Sequence, residues 1–190
     1  MTDYVETLRA RQRAARHASS IPLLANASGL AVLTYGQTAG WWLYPAVFVP
    51  AAVYLAVLVA MTVQRKVVGV GTGRDGYGFL AVVTALLAFF PPGYLVTLFL
   101  GPAFVLGLGL VLLGSRGRDA WLWGPGVGLL VVGPAVNLHA VANHVSFLGP
   151  DPDAILLGLC AAVVLALGVG ALVLERQAVR SGAATIGVAA

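Results

Sequence analysis

The residues best suited to chemistry lie near the end of a long apolar segment, Trp121–Phe147. They are two histidines and two asparagines: Asn137, His139, Asn143 and His144. Imidazole nitrogens bind metals or haem and transfer protons, and side-chain amides both donate and accept hydrogen bonds. On one continuous helix the two histidines would point about 140° apart, so they could not chelate one ion without ligands from other helices.

The depth of this cluster leaves two interpretations. A helix rises about 1.5 Å per residue and the hydrocarbon core is about 30 Å thick, so a helix from Leu122 reaches the outer boundary near His144. The cluster is then either a polar cap on the outer end of the helix or a ligand site at an outward-facing mouth, with Asp151 or Asp153 as partner. Asn137 lies deepest, and its expected partners are polar residues of other helices: Asn26, Ser28, Tyr35 and Tyr94.

The sequence contains none of the motifs that would turn the cluster into a catalytic site. It has no G-x-S-x-G, no H-E-x-x-H, no paired carboxylates inside an apolar segment and no charge at the centre of one. Its single cysteine, Cys160, excludes an intramolecular disulfide and a cysteine-based metal site. The absence of these motifs argues against an enzyme but leaves that question open, and we assign no catalytic residue, metal ion or cofactor from the sequence.

The composition is that of a protein whose solvent is lipid. Of 190 residues, 59% are hydrophobic and 9% are charged, and the mean hydropathy is +0.92. A soluble domain carries about 25% charged residues, so this chain lacks the polar side chains to cover a water-facing surface. The sequence predicts an all-α, multi-pass protein of the cell membrane, and no nucleic-acid partner.

Six apolar segments are candidates for membrane spans. They are Ile21–Thr38, Trp41–Val63, Gly78–Phe90, Tyr94–Gly114, Trp121–Phe147 and Ala154–Leu174. Pro91–Gly93 should form the tip of a hairpin, although the short segment before it leaves a re-entrant arm as the alternative. Asp151, Pro152 and Asp153 predict the start of the last helix, because Asp suits its cap and Pro its first position.

The basic residues predict how these segments are threaded. With six spans and an internal N-terminus, all eleven Lys and Arg residues fall on the cytoplasmic side, where the positive-inside rule places them. We therefore expect three hairpins with both termini cytoplasmic, a basic arm at 1–20, a transmembrane domain at 21–174 and a cytoplasmic tail at 175–190. The arm either binds anionic inner-leaflet lipids or only fixes the orientation.

Small residues recur every four positions along the last span, at Ala154, Gly158, Ala162, Ala166 and Gly170. Such a stripe lets two helix backbones approach closely. It predicts helix packing, either within one bundle or against a second chain. Gly124 and Gly128 form a shorter example of the same pattern.

These features favour a small transport component or accessory subunit that works with a partner, either another membrane subunit or a soluble ATPase. In length and span number the chain resembles the substrate-binding membrane subunits of vitamin importers, and no motif adds to that resemblance. A membrane scaffold or signalling subunit is the second interpretation. A histidine-dependent haem or metal redox protein is the third.

Overall fold

The computed structural model describes residues 19–40, 43–68, 76–144 and 149–187, and the side chains of 19–40, 45–66, 76–144 and 149–177. This part of the chain is all-helical. Its nine helices are α1 (Ser20–Thr38), α2 (Leu43–Ala46), α3 (Val49–Val68), α4 (Tyr77–Phe89), α5 (Pro91–Leu100), α6 (Pro102–Gly117), α7 (Ala120–Asn137), α8 (Ala140–His144) and α9 (Pro152–Gly187). The predicted N-terminal arm, apart from Ser19 and Ser20, lies outside the described residues.

Three helices of this part are long and apolar enough to cross a bilayer. They contain the segments Val49–Lys66, Ala120–Asn137 and Pro152–Gln177. A fourth crossing is available if α4 and α5, which meet at an angle of 91°, are counted as one broken span. As predicted, this part of the chain is therefore all-helical and contains helices that could cross a membrane, whereas six complete spans and their orientation stay predictions.

The second predicted span differs from the helix that occupies it. The helix begins at Val49, eight residues after Trp41, and is preceded by the separate single turn α2. Pro50 explains this start, because proline lacks a backbone N–H and is tolerated only where a helix does not need that donor. At its other end α3 continues to Val68, through residues that the sequence favoured as a loop.

The predicted hairpin around Pro91–Gly93 contains two breaks instead of one. Phe90 is extended and α4 turns there into α5, so the first arm ends where the prolines predict. The second arm, expected to be continuous over Tyr94–Gly114, is divided at Gly101, which has a φ of +83°. Pro102 follows directly and has no N–H to donate to the carbonyl of Leu98, so a helix cannot pass through this point undisturbed.

The start of α9 confirms the prediction made from Asp151, Pro152 and Asp153. Pro152 is the first helical residue, and the N–H of Ile155 donates to the Asp151 carbonyl over 3.1 Å. The helix does not end near Leu174, however, but continues to Gly187.

Helix α1 lies at the centre of the bundle and packs against α3, α6 and α9. A polar contact joins three of these elements inside the apolar core. The Tyr54 hydroxyl donates to the Leu106 carbonyl over 2.6 Å and lies 3.3 Å from Asn26 Oδ1, while Asn26 Nδ2 donates to the Pro22 carbonyl over 2.8 Å. Gly109 leaves the space for the hydroxyl, because a Cβ there would overlap it.

The closest helix pair is α6 with α7, and glycine makes the approach possible. A Cβ added at Gly107 would lie 2.7 Å from the Leu129 Cβ, and one at Gly126 would lie 2.8 Å from the Val111 nitrogen. Gly114 and Gly133, each seven residues further along its helix, would meet backbone atoms of the facing helix in the same way. By contrast, Gly124 and Gly128, which the sequence singled out, face open space.

The described charged residues lie at two different ends of the bundle. We call the first the basic end; its cations are Arg65, Lys66, Arg116, Arg118 and Arg176. Contacts join its parts: Arg65 lies 5.8 Å from the Tyr77 ring centre, Ser20 donates to Glu175 from both its N–H and its hydroxyl, and Ser19 donates to Asp119. The opposite end, where α7 ends and α9 begins, is called the cavity end.

Candidate ligand cavity

A cavity of about 360 Å³ lies at the cavity end, between six helices and His139, in the turn between α7 and α8. Most of its wall is apolar, with side chains from Leu33, Ala46, Leu98, Ala103, Val136 and Leu157. Three polar side chains complete it: Gln37, Asn137 and His139. A concave, largely apolar space of this size with a few converging polar groups is typical of a small-molecule site.

Asn137 is positioned by the end of α5. Its Nδ2 donates to the carbonyl of Leu98 over 2.5 Å and to that of Phe99 over 3.2 Å. These carbonyls belong to the last turn of α5, and Pro102 has no N–H with which to bond Leu98 in the usual helical pattern. The Asn137 side chain therefore supplies donors that the backbone lacks, and fixes the C-terminus of α5 to that of α7.

Gly101 permits this contact. A Cβ at Gly101 would lie 2.9 Å from the Asn137 Cβ and 3.1 Å from the Gly133 carbonyl oxygen. Its positive φ is also one that other residues adopt only with strain. The expected partners of Asn137 on other helices were polar side chains; the partners in the structure are backbone carbonyls.

His139 stands where the chain leaves α7, with a φ of +52° that is unusual for a residue other than glycine. Its Nδ1 lies 2.8 Å from Oδ2 of Asp153, at the start of α9. The His139 side chain is 67% exposed, so the cavity reaches the surface here, whereas Asp153 is only 8% exposed. The contact ties the end of α7 to the start of α9, and it leaves Nε2 of the imidazole available to other groups.

The other two residues of the predicted site lie elsewhere. The helix expected to run through Phe147 ends at Asn137, and the left-handed residue His139 redirects the chain into α8. Asn143 and His144 are exposed on α8, and His144 Nδ1 lies 2.8 Å from the carbonyl of Ala140. The structure thus places Asn137 and His139 at the cavity and Asn143 and His144 on α8, so one continuous helix does not run through all four residues.

The arrangement is suited to binding a small molecule. It combines an apolar wall, two amides and an imidazole that is held by a buried carboxylate. No group of three or more His, Cys, Asp or Glu side chains that could hold a metal occurs within the described residues. Such a cavity can enclose the apolar body of a small solute and orient it through a few hydrogen bonds.

The predicted packing stripe on α9 divides between two environments. Ala154 is buried, Gly158 and Gly170 are half-buried, and Ala162 and Ala166 are exposed in the single chain. The buried face of α9 instead follows Leu157, Ala161, Val164, Gly168 and Ala171. Packing within the chain therefore does not explain why residues 162 and 166 are small. That Ala162 and Ala166 pack against a second chain stays a prediction.

Sequence reasoning missed Gln37 as part of the site. Gln37 lies in the last turn of α1 and lines the cavity. The one signal available was its place at the predicted outer end of the first span, the same end as the histidine cluster.

Comparison with known proteins assigns the chain to no family. No family model matches the sequence, and neither a curated protein nor a solved structure matches it. The class that the fold and the cavity define is therefore a broad one: an all-helical membrane protein with a cavity large enough for a small molecule.

Proposed function

We propose that the protein is an integral membrane protein that binds a small solute in the cavity between α1, α5, α6, α7 and α9. It works as the ligand-binding membrane component of a transport system. The observation that supports this proposal is the cavity itself, which lies between helices and reaches the surface beside the exposed side chains of Gln37 and His139. An apolar wall with a few polar groups binds a solute selectively without changing it chemically.

The proposed threading places the cavity end outside the cell. In this proposed threading α1, α3, α6, α7 and α9 each cross the membrane, and the bent pair α4–α5 makes the sixth crossing. The described Lys and Arg residues gather at the opposite end, which the positive-inside rule assigns to the cytoplasm. Solute would then enter from outside, and the basic end would face anionic lipids of the inner leaflet.

A partner completes the proposed system. The sequence has no P-loop and no catalytic motif, and its one G-x-G-x-x-G match, at 71–76, follows a predicted membrane helix instead of the β-strand that a nucleotide site requires, so no motif supplies energy for uphill transport. A soluble ATPase or a second membrane subunit would supply it, as in the importers that the chain resembles in length and span number.

A cavity-filling variant tests the proposal. Ala103 is 3% exposed and lines the cavity, so Ala103→Phe would occupy the space of a ligand. Three probes of one size cover the main ligand charges: tryptamine, tryptophol and indole-3-acetate. We expect saturable binding of at least one of them by the full chain in phosphatidylcholine nanodiscs, measured by equilibrium dialysis, and its loss in Ala103→Phe.

The matched control is Ala162→Phe, which adds the same ring on the exposed side of α9. This variant should bind as the unmodified chain does. If none of the three probes binds saturably, or if Ala103→Phe binds them unchanged, the cavity is not a ligand site and the proposal fails.

One observation favours the second candidate function, a scaffold held to another chain. Ala162 and Ala166 are exposed on α9 and one turn apart, which would allow a second helix to approach closely. Ala162→Leu should then leave the stability of the single chain unchanged and weaken self-association or partner binding in light-scattering measurements. An unchanged oligomeric state would count against the scaffold.

A further inference from the structure

We infer that the ligand of this cavity is a small organic cation with an apolar body, whose ammonium group pairs with Asp153. This inference rests on the proposed function, since it names the chemical class of solute that the cavity would take. Three observations support it: the negative charge of the cavity end, the oxygen of Asp153 that has no hydrogen-bond partner, and the hydrogen-bond acceptor at the cavity wall.

The charge of the cavity end is negative. The described residues that form it, 37–40, 43–50, 91–101, 134–144 and 149–157, contain no Lys or Arg, and their two acidic residues are Asp151 and Asp153. The described basic residues lie at the other end of the bundle. A cleft lined by charge of one sign concentrates solutes of the opposite sign, so the field favours cations over anions here.

Asp153 has one oxygen bonded and one without a partner. Its Oδ2 lies 2.8 Å from His139 Nδ1, whereas Oδ1 is buried and has no hydrogen bond to any described residue. Burying a carboxylate oxygen away from water without a hydrogen-bond partner costs free energy. A donor that reaches this oxygen removes that cost. An ammonium group provides several such donors together with the opposite charge.

Asp153 does not itself line the cavity but lies directly behind two residues that do. Its partner His139 lines the cavity, and Leu157, four residues further along the same face of α9, lines it as well. His139 is 67% exposed and can move aside, because little packing holds its ring. The ammonium group of a ligand would then take the place of the imidazole at Asp153, while the apolar body fills the space between Leu98 and Val136.

Asn137 adds an acceptor to the same wall. Both donors of its amide group face carbonyls of α5, which leaves Oδ1 as the atom it can offer to a ligand. An acceptor here suits an N–H of the ligand and does not suit a carboxylate. An anionic ligand would have only the imidazole of His139 as a positive partner.

The test compares the three indole probes, which differ in the charge of one side-chain group. In nanodiscs of phosphatidylcholine, the full chain should bind tryptamine at least about tenfold more tightly than tryptophol, and indole-3-acetate most weakly. Equal affinities, or a preference for indole-3-acetate, would overturn the inference while leaving the proposed cavity intact. Absence of saturable binding by all three would instead refute the proposed function.

Substitutions at three positions test whether Asp153 is the residue that contacts the ammonium group. Asp153→Asn should lose about tenfold in tryptamine affinity, whereas its control Asp151→Asn, which removes the same charge from an exposed position two residues away, should lose less than about twofold. His139→Asn, with a residue that tolerates the left-handed conformation, should bind tryptamine as well as or better than the unmodified chain. A loss of tryptamine binding in His139→Asn, or equal losses in both aspartate variants, would show that Asp153 is not the contact.

Discussion

Removing the Asn137 side chain tests whether one amide holds two helix ends together. Asn137→Ala leaves the Leu98 carbonyl without a donor, because Pro102 cannot replace it, and it also removes the bond to Phe99. A neutral hydrogen bond contributes about 1 kcal/mol in water, and interhelical bonds in membrane proteins average about 0.6 kcal/mol. Two bonds at a half-buried position therefore predict a loss of about 1–2 kcal/mol in the free energy of unfolding.

The loss can be measured by unfolding the protein from mild detergent micelles with increasing dodecyl sulfate, followed by circular dichroism. Asn143→Ala is the matched control, because Asn143 is exposed on α8 and its replacement should change the free energy by less than about 0.5 kcal/mol. Equal effects of the two substitutions would refute the proposed bridge. So would an Asn137→Leu variant as stable as the unmodified chain, since leucine keeps the volume but donates no hydrogen bond.

Three further predictions follow from the packing and the charge distribution. Gly133→Ala should lower the free energy of unfolding by about 2 kcal/mol in the same assay, because its added methyl group would overlap the backbone at Phe104. Its control, Gly128→Ala, faces open space and should be neutral or stabilise by up to about 1 kcal/mol. Similar losses in both variants would contradict the close contact of α6 with α7. Tyr54→Phe should cost about 1 kcal/mol by removing the bond to the Leu106 carbonyl, and an unchanged transition would mean that this bond does not form. In a Cys160→Ser background, a membrane-impermeant maleimide should label Gly149→Cys in intact cells and Gly117→Cys only after permeabilisation, and the reverse order would overturn the proposed orientation.

The parts of the fold that the sequence predicted well are those governed by strong local rules. Two consecutive prolines ended α4 at Phe89, and the Asp–Pro–Asp start placed the first residue of α9 correctly. The breaks at Gly101 and His139 were missed because glycine is frequent throughout this chain and histidine seldom adopts a left-handed conformation. Those breaks depend on tertiary contacts, with Asn137 at the first and Asp153 at the second.

The same breaks explain why the sequence predicted only some residues of the candidate site. Asn137 is the last residue of α7 and keeps the position that a helix predicts, and His139 follows two residues later. Asn143 and His144 follow the left-handed residue His139, so their positions cannot be read from one helix that continues α7. The sequence suggested Asp151 or Asp153 as the partner of the histidine cluster, and the structure pairs His139 with Asp153. Gln37 could be connected to the site only from the structure, which places the end of α1 beside that of α7.

The glycine contacts between α6 and α7 determine which walls of the cavity can move. Backbone lies directly against backbone along this pair, and Asn137 joins α5 to it, so these three helices form one stiff wall. The opposite wall is α1 packed on α9, and the His139–Asp153 contact joins the two walls at the surface. Closely packed helices slide or rotate as units and do not deform continuously. These contacts favour a change in cavity volume by movement of one wall against the other, which would require release of His139 from Asp153 and a shift of α1 against α6.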